Sequence, residues 1–442
     1  MKMKKVLIGM LAIFVSVIAK AADPTVDRVM VQQRWPWSRL VDIDYVLTCE
    51  PDQLMDIGIK AYNGSALLEL PLSSLSGDLF SVSWGARRIV WDPTMTAYTN
   101  NGVVPDFRVA LTPTSVPLYM IVDLTKTAGE ARQTEYVYES DLTNGLWGAW
   151  ARNPVTNDEV VIQSVVWTGV TTNDTYKTDK LVLRRISKGA YKMGGSLSTT
   201  LTKDFYTGVF QVTQRQWELI MGEGTKPSNF NNAEYYMTRP VEMVSYNDVR
   251  GATDSVPAVN WPGTGSAVLP ASFVGLLRAQ TGLMDFDLPT EAQWEYLCRA
   301  GTTTVFNDGD ALADVSGASA VTNTWLDALG RYKFNGGFIG GVTEPGVGCT
   351  PTNGTAVVGF YQPNAWGLYD THGNVMELCL DWQVSKLVGG SDPAGPESGS
   401  SRMQRGGGWR NVPTYCSSAY RLGIGPSSRA NGLGFRLVRT LP

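Results

Sequence analysis

Apolar and polar residues alternate with a period of two along the early part of the chain. From Leu40 to Leu47 the alternation sets Ile43, Tyr45 and Leu47 on one face, and residues 56–61 and 107–111 behave likewise. Turn formers such as Asn63-Gly64 and Asn101-Gly102 punctuate these runs. Short strands bounded in this way predict an antiparallel β-sandwich, immunoglobulin-like or fibronectin-III-like, over 22–140. Within it the run at 33–37 carries Trp35 and Trp37, which read either as edge or core packing or as a carbohydrate-stacking platform.

The pattern then changes. Residues 141–180 mix turn signals with one apolar run, 160–167, and read as a linker with a possible strand. From Leu181 a second domain extends to the C-terminus, and helical signals enter. Thr213 and Gln216 form a capping box closed by Gly222, and Thr290 and Gln293 form another before Gly301. A third helix is predicted over 271–280, burying Phe273, Leu276 and Leu277 and closed by Gly282. The whole is α+β and rich in loops.

Composition sharpens this. With 46 Gly, 23 Pro and 43% hydrophobic residues, 442 residues suffice for two loop-rich cores. Lys2, Lys4 and Lys5, the apolar run 6–18 and Ala19-Lys20-Ala21 have the form of a cleaved signal peptide over 1–21, so the mature chain is expected to be secreted, periplasmic or at the cell surface. The apolar run is too short to span a bilayer comfortably. Removing Lys2, Lys4, Lys5 and Lys20 leaves 33 of the 37 basic residues against 41 acidic ones, a net charge of −8. That balance argues against nucleic acid or an anionic membrane as a partner. Five cysteines, an odd number, leave at least one thiol without an intrachain partner. A single histidine, His372, excludes any His-rich metal site, and a Ser-His-Asp triad would have to use it.

The richest stretch is Asn364 to Trp382, NAWGLYDTHGNVMELCLDW, an aromatic loop running into a strand. Asp370 and Glu377 bracket a tight turn at Gly373, which directs the carbonyls of Gly373 and Val375 toward one point. Such oxygens suit calcium, although spacing alone favours carboxylates that cap local turns with no metal.

Four motifs in order, LPTEAQWEYLCRAG at 288–301, GLYDTHGNVMELCLDW at 367–382, RGGGW at 405–409 and GFRLVR at 434–439, resemble the formylglycine-generating enzyme (sulfatase-modifying factor) family. The resemblance implies a decorated C-type-lectin-like fold and assigns a structural calcium to Asp370, Gly373, Val375 and Glu377. Asn335 is the nearest candidate for the family's second calcium. The single histidine removes the related iron-dependent branch, which needs three.

The resemblance also implies a cysteine pair, five residues apart, that holds copper(I) and oxidises a substrate cysteine to formylglycine. Here the second position is Cys416 but the first is Asn411, whose neutral amide is a poor ligand for the soft ion. Gly408 stands where the family has serine and Met376 where it has tryptophan. Copper is therefore not expected. The sequence favours a calcium-stabilised module that binds a protein, peptide or glycan through a pocket at 409–429, with Met376, Gly408, Trp409 and Arg421 contributing. That C-terminal stretch also resembles the variable ligand-binding region of diversity-generating retroelement proteins. An active protein-cysteine oxidase using Cys416 and a structural cell-surface component are the alternatives. Arg421 and Arg436 are expected to pair with buried carboxylates.

Overall fold

A computed structural model describes residues 23–34, 37–51, 53–96, 104–139, 169–233, 235–254, 267–309, 324–335 and 354–442. Residues 1–22, Trp35, the run 160–167 and Cys349 lie outside them. The chain divides into two compact units, Met1–Thr114 and Ser115–Pro442.

The first unit is built from β1 (Thr25–Gln33), β2 (Val41–Thr48), β3 (Met55–Asn63), β4 (Ala66–Leu68), β5 (Leu75–Gly77), β6 (Gly85–Trp91) and β7 (Phe107–Ser115). One sheet runs β1-β2-β6-β5 with antiparallel pairing and a second runs β4-β3-β7. The alternation in β2 does what its period requires: Val41, Ile43, Tyr45 and Leu47 are buried, and Asp42 and Asp44 lie on the other face. Ile57, Ile89, Trp91 and the partly buried Phe107 and Val109 bring both sheets into one core. Trp91 of β6 stacks on Phe107 of β7 at 5.2 Å. Trp37 is 91% exposed, so it is not core packing.

In the second unit, β8 (Tyr119–Asp123), β9 (Thr134–Val137), β10 (Lys180–Ile186), β13 (Phe205–Gly208), β14 (Phe286–Asp287) and β20 (Val438–Thr440) form a six-stranded antiparallel sheet, ordered β14-β20-β13-β10-β8-β9. Strands β8 and β9 pair with each other, and β8 pairs in turn with β10, so both belong to the sheet of the second unit. The division between units therefore falls at Ser115 and not near 140.

A second sheet runs β18-β17-β15-β19, from Leu422–Ile424, Arg402–Arg405, Met376–Trp382 and Leu433–Gly434. A small third sheet joins β11 (Gly189–Met193), β12 (Leu197–Leu201) and β16 (Gly390–Ser391).

The helices start where their caps dictate. Taken in chain order, α1 is Gly169–Thr172, α2 Gln214–Met221, α3 Tyr246–Arg250, α4 Phe273–Thr281, α5 Glu291–Arg299 and α6 Thr324–Leu329. Both capping boxes read from the sequence are present, at Thr213/Gln216 and Thr290/Gln293. The end of α2 is Gly222 as expected, and α4 ends at Gly282 in the left-handed region. Helix α5 is buried along its whole length and sends Trp294 and Glu295 into the ground beneath β15 and β17.

Candidate functional site

Every residue of β15 is buried, so the strand leaving the aromatic loop has no solvent face. The loop before it is held by left-handed backbone at Asp370 (φ 58°), Gly373 (φ 111°) and Asn374 (φ 63°). At Gly373 a side chain is impossible, because a Cβ would overlap the carbonyl of Arg331. Asn374 tolerates the conformation and uses its side chain, accepting from the Ala356 N–H at 2.8 Å.

These turns bring the carbonyls of Asp370, Gly373 and Val375 and the Oε1 of Glu377 to a common focus. What stands there is the side-chain amide of Gln211, whose Nε2 donates at 3.1, 3.3, 3.0 and 2.9 Å respectively. Gln211 lies between β13 and α2 and is fully buried.

Glu377 has further partners. Arg436 approaches it through Nε at 3.0 Å and a terminal nitrogen at 2.9 Å, and Trp294 Nε1 donates at 2.8 Å. Arg436 also donates to the carbonyls of Gly208, Val209 and Tyr369. The focus thus lies among a buried, charge-neutral ion pair, three carbonyls and an amide. The oxygens that the resemblance assigns to calcium do converge, but with Gln211 Nε2 at their centre they do not fit a cation. The Asp370 carboxylate points elsewhere, accepting from the Gly359 N–H at 2.8 Å, and burial pushes it up to about 6. Asn335, the candidate for the other ion, is committed to its own turn, accepting from the Tyr332 N–H and donating to the Gly330 carbonyl.

Around the position of the missing cysteine the structure is equally committed. The Oδ1 of Asn411 accepts from the Gly408 N–H at 2.9 Å, and its N–H returns a bond to the Gly408 carbonyl at 2.8 Å. Asn411 is thereby a turn residue. A Cβ on Gly408 would stand 3.0 Å from the Gly432 carbonyl and 3.4 Å from the Asn374 carbonyl, so the glycine suits its close setting.

Cys416 is fully buried beside Phe306, Leu326, Leu329 and Tyr332, and that burial pushes its thiol far above the ordinary value. Burial in an apolar cluster disfavours the thiolate that a metal or a disulfide exchange would need. A single such sulfur and a committed amide do not fit copper(I).

The lone histidine is no base. His372 Nδ1 donates to the Cys416 carbonyl at 2.7 Å and Nε2 accepts from the Asn307 N–H at 3.0 Å. Burial lowers it to about 4, and the nearby Cys298 thiol, 3.9 Å from Nε2, is pushed up to about 11. No thiolate–imidazolium pair forms under those conditions.

The remaining residues named from the sequence are dispersed in role. Met376 is buried on β15 and its N–H donates to the Gly432 carbonyl at 2.7 Å. Trp409 is buried edge-to-face against Phe230, 5.1 Å between ring centroids, and donates to the Asn431 carbonyl. Arg421 forms a two-pronged ion pair with Glu291, both contacts at 2.6 Å, and Arg436 pairs with Glu377, as expected of these two arginines. Sequence reasoning missed Gln211. Its only signal is a polar residue inside the apolar run Val209-Phe210-Gln211-Val212.

The fold and this core define a loop-rich α+β domain whose C-terminal strands are tied together by buried arginine–carboxylate pairs. The sulfatase-modifying factor enzyme 1-like domain family matches residues 168–441, and the chain belongs to that family. The chaperone protein LppX of Paenibacillus barcinonensis is 27% identical over 296 residues, covering 61% of this chain and 92% of that protein. The formylglycine-generating enzyme of Streptomyces coelicolor is 35% identical over 158 residues, 34% of this chain and 45% of that enzyme, and the Mus musculus enzyme gives 35% over 155 residues and 38% of its length. The chain thus spans less than half of these two enzymes. Among solved structures, Treponema denticola variable protein 1 is similar with a TM-score of 0.43 and 26% identity, over 60% of this chain and 96% of that one.

Proposed function

We propose that this chain is an exported family member that has no copper-dependent cysteine-oxidase activity and works as a binding module for a protein or peptide. One observation carries the reading: the position opposite Cys416 is Asn411, and its amide is spent on the Gly408 turn while the Cys416 thiol is sealed in an apolar cluster. A scaffold without the thiolate pair keeps its shape and loses its redox chemistry. The similarity to a protein named as a chaperone along 92% of that protein's length supports a polypeptide ligand over a glycan. Export is supported by the leader-like N-terminus.

The test is a chaperone-type assay with the purified chain. Substoichiometric to equimolar protein should suppress aggregation of an unfolded exported polypeptide and retain peptides on an array. Silence in both, with a glycan array bound instead, would remove the polypeptide reading.

A further inference from the structure

We propose that Gln211 replaces the cation: its side-chain amide is the permanent occupant of the oxygen focus formed by Asp370, Gly373, Val375 and Glu377, so this chain's core is locked without calcium.

Geometry gives the first argument. Four oxygens surround Nε2 within 3.3 Å, and one side-chain NH2 has two hydrogens to share among them. Among the described residues the amide's own Oε1 has no hydrogen-bond partner. Buried acceptors ordinarily find donors, so the side chain is oriented by the demand of the four oxygens for a donor. Turned the other way, the amide would set a fifth oxygen against four, an arrangement stable only around a positive ion. Glutamine therefore has the reach and the polarity to stand in for the ion.

Charge gives the second. The oxygens at the focus include one carboxylate, and it is already ion-paired with Arg436, itself fully buried. The Glu377 carboxylate at the focus is thus already compensated by a cation of the chain itself, whereas calcium sites are tuned by their count of charged ligands. The hydrogen bonds also span the fold. Gln211 ties the segment after β13 to both sides of the turn entering β15, the link a bridging ion would otherwise make.

Thermal unfolding of the full chain at pH ~8, in chelator and in ~10 mM calcium, tests this, since extracellular calcium modules have Kd of about 10⁻⁴ to 10⁻³ M. The wild-type midpoint should be the same in both, and terbium should give no saturable Trp-sensitised luminescence. The Gln211→Glu variant keeps the shape but places carboxylate oxygens at the focus. Its midpoint should fall in chelator and recover by at least ~3 °C in calcium. A wild-type midpoint that drops on chelation overturns the proposal even if the variant does not fold. A folded variant indifferent to calcium overturns it too.

Discussion

Glu377 shows how a single buried carboxylate is made tolerable. It accepts from Arg436, Trp294 and Gln211, so its charge is balanced and its lone pairs are used. Removing the cation alone should be severe: Arg436→Met leaves a buried unpaired carboxylate and should cost about 3–5 kcal/mol in urea unfolding. The double variant Arg436→Met/Glu377→Gln should be less damaged than the single one. A double variant as unstable as the single would show that the ion pair is not what Arg436 contributes. At this scale the sequence was partly legible. The need of Arg421 and Arg436 for acids could be foreseen, because GFRLVR and CSSAYR set arginines among apolar residues. Gln211 could not be foreseen, because its four acceptors lie 159 to 166 residues away and its importance is a matter of three-dimensional convergence.

Among elements, the short helices were the most legible, since a capping box is a local signal read over four residues. Thr290 closes the start of α5, the helix that carries Trp294 to Glu377 and Glu295 to Arg405. Thr290→Ala should lower stability by about 0.5–2 kcal/mol, seen as a lower urea midpoint with an unchanged slope. An unaltered midpoint would mean that the buried packing of α5 fixes its start without the cap. Strand partnership was much less legible. Local pattern is silent on which sheet takes β8 and β9, and β10, the partner of β8, follows after a long intervening segment. That non-local pairing is why the division between units falls at Ser115, where no local pattern marks it. The all-buried β15 likewise carries no alternation to read.

Across the molecule, several buried titratable groups set a pH dependence of stability. Burial pushes Glu242 up to about 8, Asp381 to about 7 and Asp370 to about 6. Between the ordinary carboxylate range and those values the folded state keeps protons that the unfolded chain has released, so stability falls as pH rises. His372, lowered to about 4 by burial, acts oppositely, losing stability as pH falls below its ordinary 6.5. Three acids outweigh one imidazole, so the melting temperature should decline from pH ~5 to pH ~8. Glu242→Gln should flatten the alkaline part of that decline. A melting temperature that rises through this window would contradict the burial of these carboxyls.

The claim on which the functional account rests is that Asn411 and Cys416 cannot clasp copper(I). Anaerobic copper(I) titration of the purified chain, followed by incubation with oxygen and a cysteine-containing sulfatase peptide, tests it most directly. The account predicts no tight one-to-one copper uptake sensitive to Cys416→Ala, and a peptide that keeps its thiol. Stoichiometric copper lost in that variant, with the peptide cysteine converted to the aldehyde, would contradict it.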